Sequence, residues 1–513
     1  MKVPRASGIL LHPTSLPSGF GIGSFGEEAF EFAEQLAASG QTIWQMLPLG
    51  PVGFGNSPYQ SLSAFAGEPL LIGLERLVQA GLLSRPELDR APQFPRSTVA
   101  YDAVRAWKAP LLFQAARSFF ACADCSEQQH FHEFCAEQAA WLDDYALFAA
   151  LRHVFSERAW TAWDRALVHR DPVTLASWRD KLREEIDCHK YLQYEFYRQW
   201  DALRAFCRER GLLLMGDLPI YVSHDSSDVW SHPDRFYLDR RGRPTSVSGV
   251  PPDYFSETGQ LWGNPIYRWP AMRRSGFHWW IERFRGTFRL FDIVRLDHFR
   301  GFEAYWSVRA GETTAVNGKW IKGPGRKLFR EVKKVLGDLN IVAENLGVIT
   351  PEVEALRREF GFPGMAILQF AFGDDPQAPT FRPHRFERHL FAYTGTHDND
   401  TLLGWWNGEG ASMRTGEQVQ RERAAARRYL GHTSEPVNWA FLRSLFASVA
   451  DAAIAPMQDI LGLDGQARMN LPGNGSGNWL WRMLPGAFTL ALQGQLRSLA
   501  ENYGRIPKHD RRE

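Results

Sequence analysis

Residues 212–222 read LLLMGDLPIYV, and residues 291–301 read FDIVRLDHFRG. Each is a short, nearly unbroken apolar run that ends in an acid: Asp217 in the first, and in the second Asp297, two residues after Arg295. Such runs are expected of parallel strands buried on both faces. Six more stand along the chain: Gly8 to Leu16, Thr42 to Leu49, Asn340 to Ala343, Ala366 to Phe372, Phe391 to Thr394 and Ile454 to Leu463. Helical patterns fall between them. Phe30, Ala33, Leu36 and Ala37 share a face ahead of Gly40, and Leu328, Val332, Val335 and Leu336 repeat the pattern ahead of Gly337. Thr350 and Pro351 read as N-cap and first helical position of a helix that Gly361 closes. Eight strand candidates alternating with helices favour an α/β fold, a (β/α)8 TIM barrel, over an open doubly wound sheet.

The barrel is expected to span residues 1–513, with two segments outside the alternation. Residues 67–195 are helical in pattern, polar and Trp-rich, and read as a helical insertion after strand 2. Residues 223–275 read as a loop-rich insertion after strand 3, and GVPPDYFSETGQLWGNP (249–265) is the part expected to close over a site and exclude water. Hydrophobic residues at 44% and charged residues at 23% are ordinary globular values. Fifty-nine basic against 58 acidic side chains leave +1, without the electrostatic footprint of a nucleic-acid partner. No apolar run approaches the ~20 residues of a membrane helix, and Ile9-Leu10-Leu11 is too short for a signal peptide. Five cysteines without framework spacing suit a reducing cytoplasm. Cys122, Cys125 and Cys135, with His130 and His132, lack the spacing of a zinc site, so no metal is expected there.

Barrel enzymes place reactive groups at the C-terminal ends of their strands. Here those ends carry Asp217, Arg295 with Asp297, Glu344 in NIVAENLG (340–347), and His397 with Asp398 in FAYTGTHDND (391–400). Several carboxylates at one rim, without metal-ligand spacing, point to work on an acetal, where one acid stays ionised and another protonated. Arg295, on the same face as Asp297, is expected to lower the pKa of that acid and make it the nucleophile. The apolar approach Ile341-Val342-Ala343 is expected to raise Glu344 and make it the acid/base. Asp398 is the third acid, suited to binding hydroxyls and distorting a ring. A hydrolase would carry the same carboxylates; a glycan-binding scaffold would have no need of this pair.

Together GDLPIYV, RLDHFRG, AENLG and THDND resemble the 4-α-glucanotransferases (amylomaltases or disproportionating enzymes) of glycoside hydrolase family 77. HPTSLPSGFGIGSFG, GNSPYQSLSAFAGEPLLI and the 249–265 segment are similar to the family's as well, in the family's order from about residue 8 to about residue 482. The resemblance implies retaining transfer of a glycosyl unit from an α-1,4-glucan to the 4-hydroxyl of an acceptor. Donors would be maltooligosaccharides, amylose or glycogen-derived chains, and glucose would serve as acceptor. No cofactor is implied, and neither a nucleic acid nor a membrane is an expected partner. Asp297, Glu344 and Asp398 match the family's nucleophile, acid/base and third carboxylate. Tyr59 resembles its aromatic platform, and Asp217, Arg295, His298 and His397 match groups holding ring hydroxyls. Gln260 and Trp262 resemble acceptor-side groups, and Asn470, Ser57, Tyr254, Phe255 and Asp374 match further binding positions.

Overall fold

The computed structural model describes residues 5–252, 257–409, 414–431 and 434–506. Its strands in chain order are β1 (Ala6–Leu10), β2 (Ile43–Gln45), β3 (Leu213–Leu218), β4 (Ser246–Val250), β5 (Gln260–Pro265) and β6 (Ile293–Leu296), followed by β7 (Ala304–Arg309), β8 (Lys319–Lys322), β9 (Ile341–Ala343), β10 (Gly364–Ile367), β11 (Leu390–Tyr393) and β12 (Ala452–Pro456). Eight of these form one parallel sheet in the order β10-β11-β12-β1-β2-β3-β6-β9. Its two outer strands meet as well. Ala343 N–H donates to Pro363 O at 2.9 Å, and the Asn345 side chain accepts Met365 N–H at 2.8 Å, standing in for a ladder bond. The sheet thereby rolls into a (β/α)8 barrel, and its members are the eight runs picked out from the sequence.

Alternation along each strand divides the core in two. Leu10, Ile43, Met215, Ile293, Val342, Phe391, Tyr393 and Ile454 pack together in the lumen. Their neighbours Ile9, Trp44, Leu214, Val294 and Ile341 pack outward among the surrounding helices. With a period of two, the parity of Met215 carries Asp217 to the lumen side. The parity of Ile293 does the same for Arg295 and Asp297, and that of Val342 for Glu344. The position of the site thus follows from strand phase.

The helix Glu27–Ala38 buries Ala29, Phe32, Ala33 and Leu36, and Gly40 beyond it takes the left-handed φ of 72°. Between β2 and β3 the chain is helical, with Tyr101–Cys122, Cys125–Val154 and Arg183–Glu209 as the long members. Two buried glutamines tie the last of these helices back to the chain that leaves β2. The amide of Gln193 both accepts from and donates to the backbone of Gly67, and Gln199 does the same at Gly73. Gly67 has to be glycine, since a Cβ there would stand 2.2 Å from the Phe196 ring. Trp160 and Trp163 are buried in this lobe as packing residues.

The 223–275 stretch, expected from its composition to be loops, contributes β4 and β5. They join β7 and β8 in a second sheet, antiparallel, of order β5-β4-β7-β8. Half of this sheet precedes β6 in sequence and half follows it, so the segments on both sides of Asp297 are joined in one sheet. Below the barrel, Arg505 is fully buried and donates to five carbonyls: Phe446, Ala6, Ala450, Ser448 and Leu445. Among the described residues, no helix is long and apolar enough to cross a membrane.

Candidate active site

At the C-terminal mouth of the barrel, Arg295 joins two carboxylates. Its Nη1 lies 2.6 Å from Asp217 Oδ2 and 2.9 Å from Asp297 Oδ1. Asp217 Oδ2 also accepts from Tyr59 Oη at 2.7 Å, while its Oδ1 is buried without a partner. Burial lowers the pKa of Arg295, but Asp217 and Asp297 outweigh it and hold the guanidinium charged. For Asp297 the sequence expectation reverses. Arg295 pulls its pKa down as anticipated, but burial is the larger effect, and Asp217 and Asp398 add to it, so the carboxyl is pushed up to about 6. It still ionises below neutral pH.

Glu344 stands just past the end of β9. Its Oε2 accepts His298 N–H at 2.7 Å and its Oε1 accepts Leu346 N–H at 3.1 Å. These bonds and Arg295 favour the charged form, but burial and the adjacent Asp297 push the carboxyl up to about 8. To aim its N–H at Glu344, His298 takes a left-handed φ of 46°, which for a residue with a Cβ costs about 1–3 kcal/mol. Its imidazole is held neutral, its pKa brought down to about 3 by burial, Arg300 and Arg295, and Nε2 is buried without a partner. Trp262 from β5 meets the His298 ring edge to face at 4.8 Å and donates from Nε1 to Gln260 Oε1 at 3.1 Å.

The third arm comes from the loop after β11. Asp398 Oδ1 accepts from Asn470 Nδ2 at 2.6 Å, and Oδ2 lies 3.3 Å from His397 Nε2. Burial raises the pKa of Asp398, but His397, with its hydrogen bond and that of Asn470, more than reverses this and keeps the carboxyl well below the usual range. The Tyr59 ring stacks on His397 at 5.1 Å with 16° between planes. Ser57 acts one step back, its Oγ accepting Tyr59 N–H at 3.3 Å.

Thus Tyr59, Asp217, Arg295, Asp297, His298, Glu344, His397, Asp398 and Asn470 converge, with Gln260 and Trp262 at the His298 edge. Asp374 does not join them: it is 56% exposed and paired with Arg421. Tyr254 and Phe255 lie outside the described residues. Two residues that the sequence reading passed over belong to the site. Trp479 packs beside both Tyr59 and His397. Arg468 donates to the carbonyls of Asp398 and Asn470 at 2.8 and 2.7 Å. Arg468, two residues before Asn470, and Trp479, in the NWLWR run (478–482) that follows it, both had a signal in their nearness to Asn470. Among the described residues, no cluster of three or more His, Cys, Asp or Glu is placed to hold a metal ion.

Comparison with known proteins identifies the family. A family model described as 4-alpha-glucanotransferase matches residues 11–487. The 4-alpha-glucanotransferase of Synechocystis sp. is 49% identical over 98% of this chain and 99% of its own. That of Thermus thermophilus is 48% identical over 99% and 100%. Among solved structures, the amylomaltase from Streptococcus agalactiae in complex with acarbose matches with a TM-score of 0.93 at 39% identity, covering 98% of this chain and 99% of that one. The chain belongs to glycoside hydrolase family 77, the family of the 4-alpha-glucanotransferases.

Proposed function

We propose that this 4-alpha-glucanotransferase works by double displacement, with Asp297 as nucleophile and Glu344 as acid/base. The observation that carries the reading is the pairing of unlike environments on adjacent strands. Near pH 7, Asp297, at about 6, is mostly ionised, and Glu344, at about 8, is mostly protonated. An Asp297 oxygen attacks the anomeric carbon of an α-1,4-glucan while Glu344 gives its proton to the departing 4-oxygen. The glycosidic C–O bond breaks and a glycosyl ester forms on Asp297. The 4-hydroxyl of an acceptor then surrenders its proton to Glu344 and attacks the same carbon. The bond to Asp297 breaks, and the configuration is retained.

Tyr59 and His397 provide a flat wall for the donor sugar, and Asp217, Arg295, His298, Asp398 and Asn470 present polar atoms to its hydroxyls. Trp262 offers an acceptor a stacking face at the other edge. Maltooligosaccharides, amylose and glycogen-derived chains fit as donors and glucose as acceptor. All five cysteines are free, in keeping with a cytoplasmic setting.

Incubation with maltotriose alone tests the reading. Transfer yields glucose with maltopentaose and longer chains at a constant number of reducing ends. Rising reducing ends, with only glucose and maltose formed, would mean hydrolysis and overturn it. Glu344→Gln should bind maltooligosaccharides and lose turnover by orders of magnitude.

A further inference from the structure

Residues 394–402, TGTHDNDTL, carry His397 and Asp398 from the end of β11 to the helix Leu402–Asn407. One buried carboxylate holds both ends of this loop. Asp459, 1% exposed, accepts from Thr394 Oγ1 at 2.6 Å through Oδ2 and from Leu402 N–H at 2.7 Å through Oδ1. It sits in the helix Met457–Leu461, directly after β12, so the tie runs from the last barrel strand to the seventh.

The middle of the loop is not packed solid from below. A cavity of about 20 Å³ lies beneath it, lined by Thr396, His397 and Asp400 together with His12, Gln458 and Arg468. That is room for about one water. Close-packed interiors resist displacement because any shift meets a neighbour, and over a void that resistance is missing. Between its ends the loop is held by Arg468 and Asn470 at Asp398, by Asn470 N–H on the His397 carbonyl at 3.1 Å and by Gln369 Nε2 on the Asp400 carbonyl at 2.9 Å, so the height of Asp398 above the lumen is set by these bonds together with how firmly the ends are fixed.

We propose that Asp459 is a positioning residue for the transfer reaction, acting through Asp398 by fixing the span of the 394–402 loop. This rests on the functional reading given to the site, and a double-mutant cycle separates the two. In Asp459→Asn the side-chain carbonyl keeps Leu402 N–H, and the amide donates to Thr394 Oγ1; turnover within about threefold of native is expected. Asp459→Ala removes both ties, and displacing a positioned group by about 1 Å costs about 100-fold. Its kcat is expected to fall about that far, with donor KM changing less than about threefold. On an Asp398→Asn background, the same alanine change is expected to cost no more than about threefold further, because the group it positions is already disabled.

Losses that multiply in the double variant, or native kcat in Asp459→Ala, overturn the proposal. If Asp459→Ala does not fold, Thr394→Val, which cuts one tie, serves in the same cycle. A loss of about tenfold that vanishes on the Asp398→Asn background supports the proposal, and one that persists overturns it. Native kcat in Asp398→Asn alone would remove the functional reading of Asp398 and this proposal with it. A slow Asp398→Asn with multiplying losses would remove only the role of Asp459.

Discussion

Replacing Glu344 with glutamine should stabilise the protein at alkaline pH while disabling it. In the folded chain burial and Asp297 push this carboxyl from the ordinary 4.5 to about 8. Between those two values the folded state keeps a proton that the unfolded chain has released. Unfolding therefore releases a proton, and stability falls as pH rises across the window by up to about 1.4 kcal/mol per pH unit. From pH 5 to pH 8 the accumulated cost is about 3 kcal/mol. Glutamine does not titrate. It offers one acceptor oxygen to the two N–H groups of His298 and Leu346, a loss of about 1 kcal/mol that is the same at every pH. At about 2.1 cal/mol/K per residue, a 513-residue chain gains about 1 °C in Tm per kcal/mol. The Tm of Glu344→Gln relative to the native protein should thus rise by about 3 °C between pH 5 and pH 8, as followed by paired thermal melts. A Tm difference that is flat across this range would mean that Glu344 is ionised in the folded state, and its role as acid would fall.

Turnover of maltotriose should follow a bell in pH. The acid limb, near about 6, marks ionisation of Asp297, and the alkaline limb, near about 8, marks loss of the Glu344 proton. Both values belong to the interacting pair, and initial rates that climb steadily through pH 9 would contradict the assignment. Trp262→Ala should raise KM for a glucose acceptor about tenfold and increase the hydrolysed fraction, as read by product analysis; an unchanged product ratio would count against an acceptor-side role. Arg505→Met removes a donor from five carbonyls, of which Phe446 keeps Arg5 and Leu445 keeps Ser448, and should cost about 3 kcal/mol in denaturant melts. Because Arg505 lies below the barrel, kcat at 25 °C should not change, and a variant slowed tenfold would refute that separation of roles.

The barrel was legible because strands buried on both faces are written as apolar runs, and the mouth was legible because an acid ending such a run has few other places to go. LLLMGDL and FDIVRLD illustrate both. The second sheet was not legible. SVSGV and QLWGNP have no apolar signature, and β4 becomes a strand by pairing with β7, some sixty residues away, where Ser248 lies opposite Ser307. The direction of the Asp297 shift was hidden for a related reason. Sequence shows Arg295 two residues away, while burial and the charges of Asp217 and Asp398 come from elements distant in the chain. Asp374 shows the converse: the family resemblance alone suggested it, and it stands exposed and paired with Arg421.

The seam between β1 and β12 pairs Ala6–Leu10 with Ala452–Pro456, and Arg505 bonds to both sides of it. During synthesis at about 5–20 residues per second, β1 emerges on the order of half a minute or more before its partner exists. Throughout that interval one edge of a strand that the finished barrel buries along its whole length stands open, a template for pairing with another chain. The half-built barrel is thus most exposed to aggregation while it is still attached to the ribosome, and the step that ends this exposure is the arrival of its eighth strand.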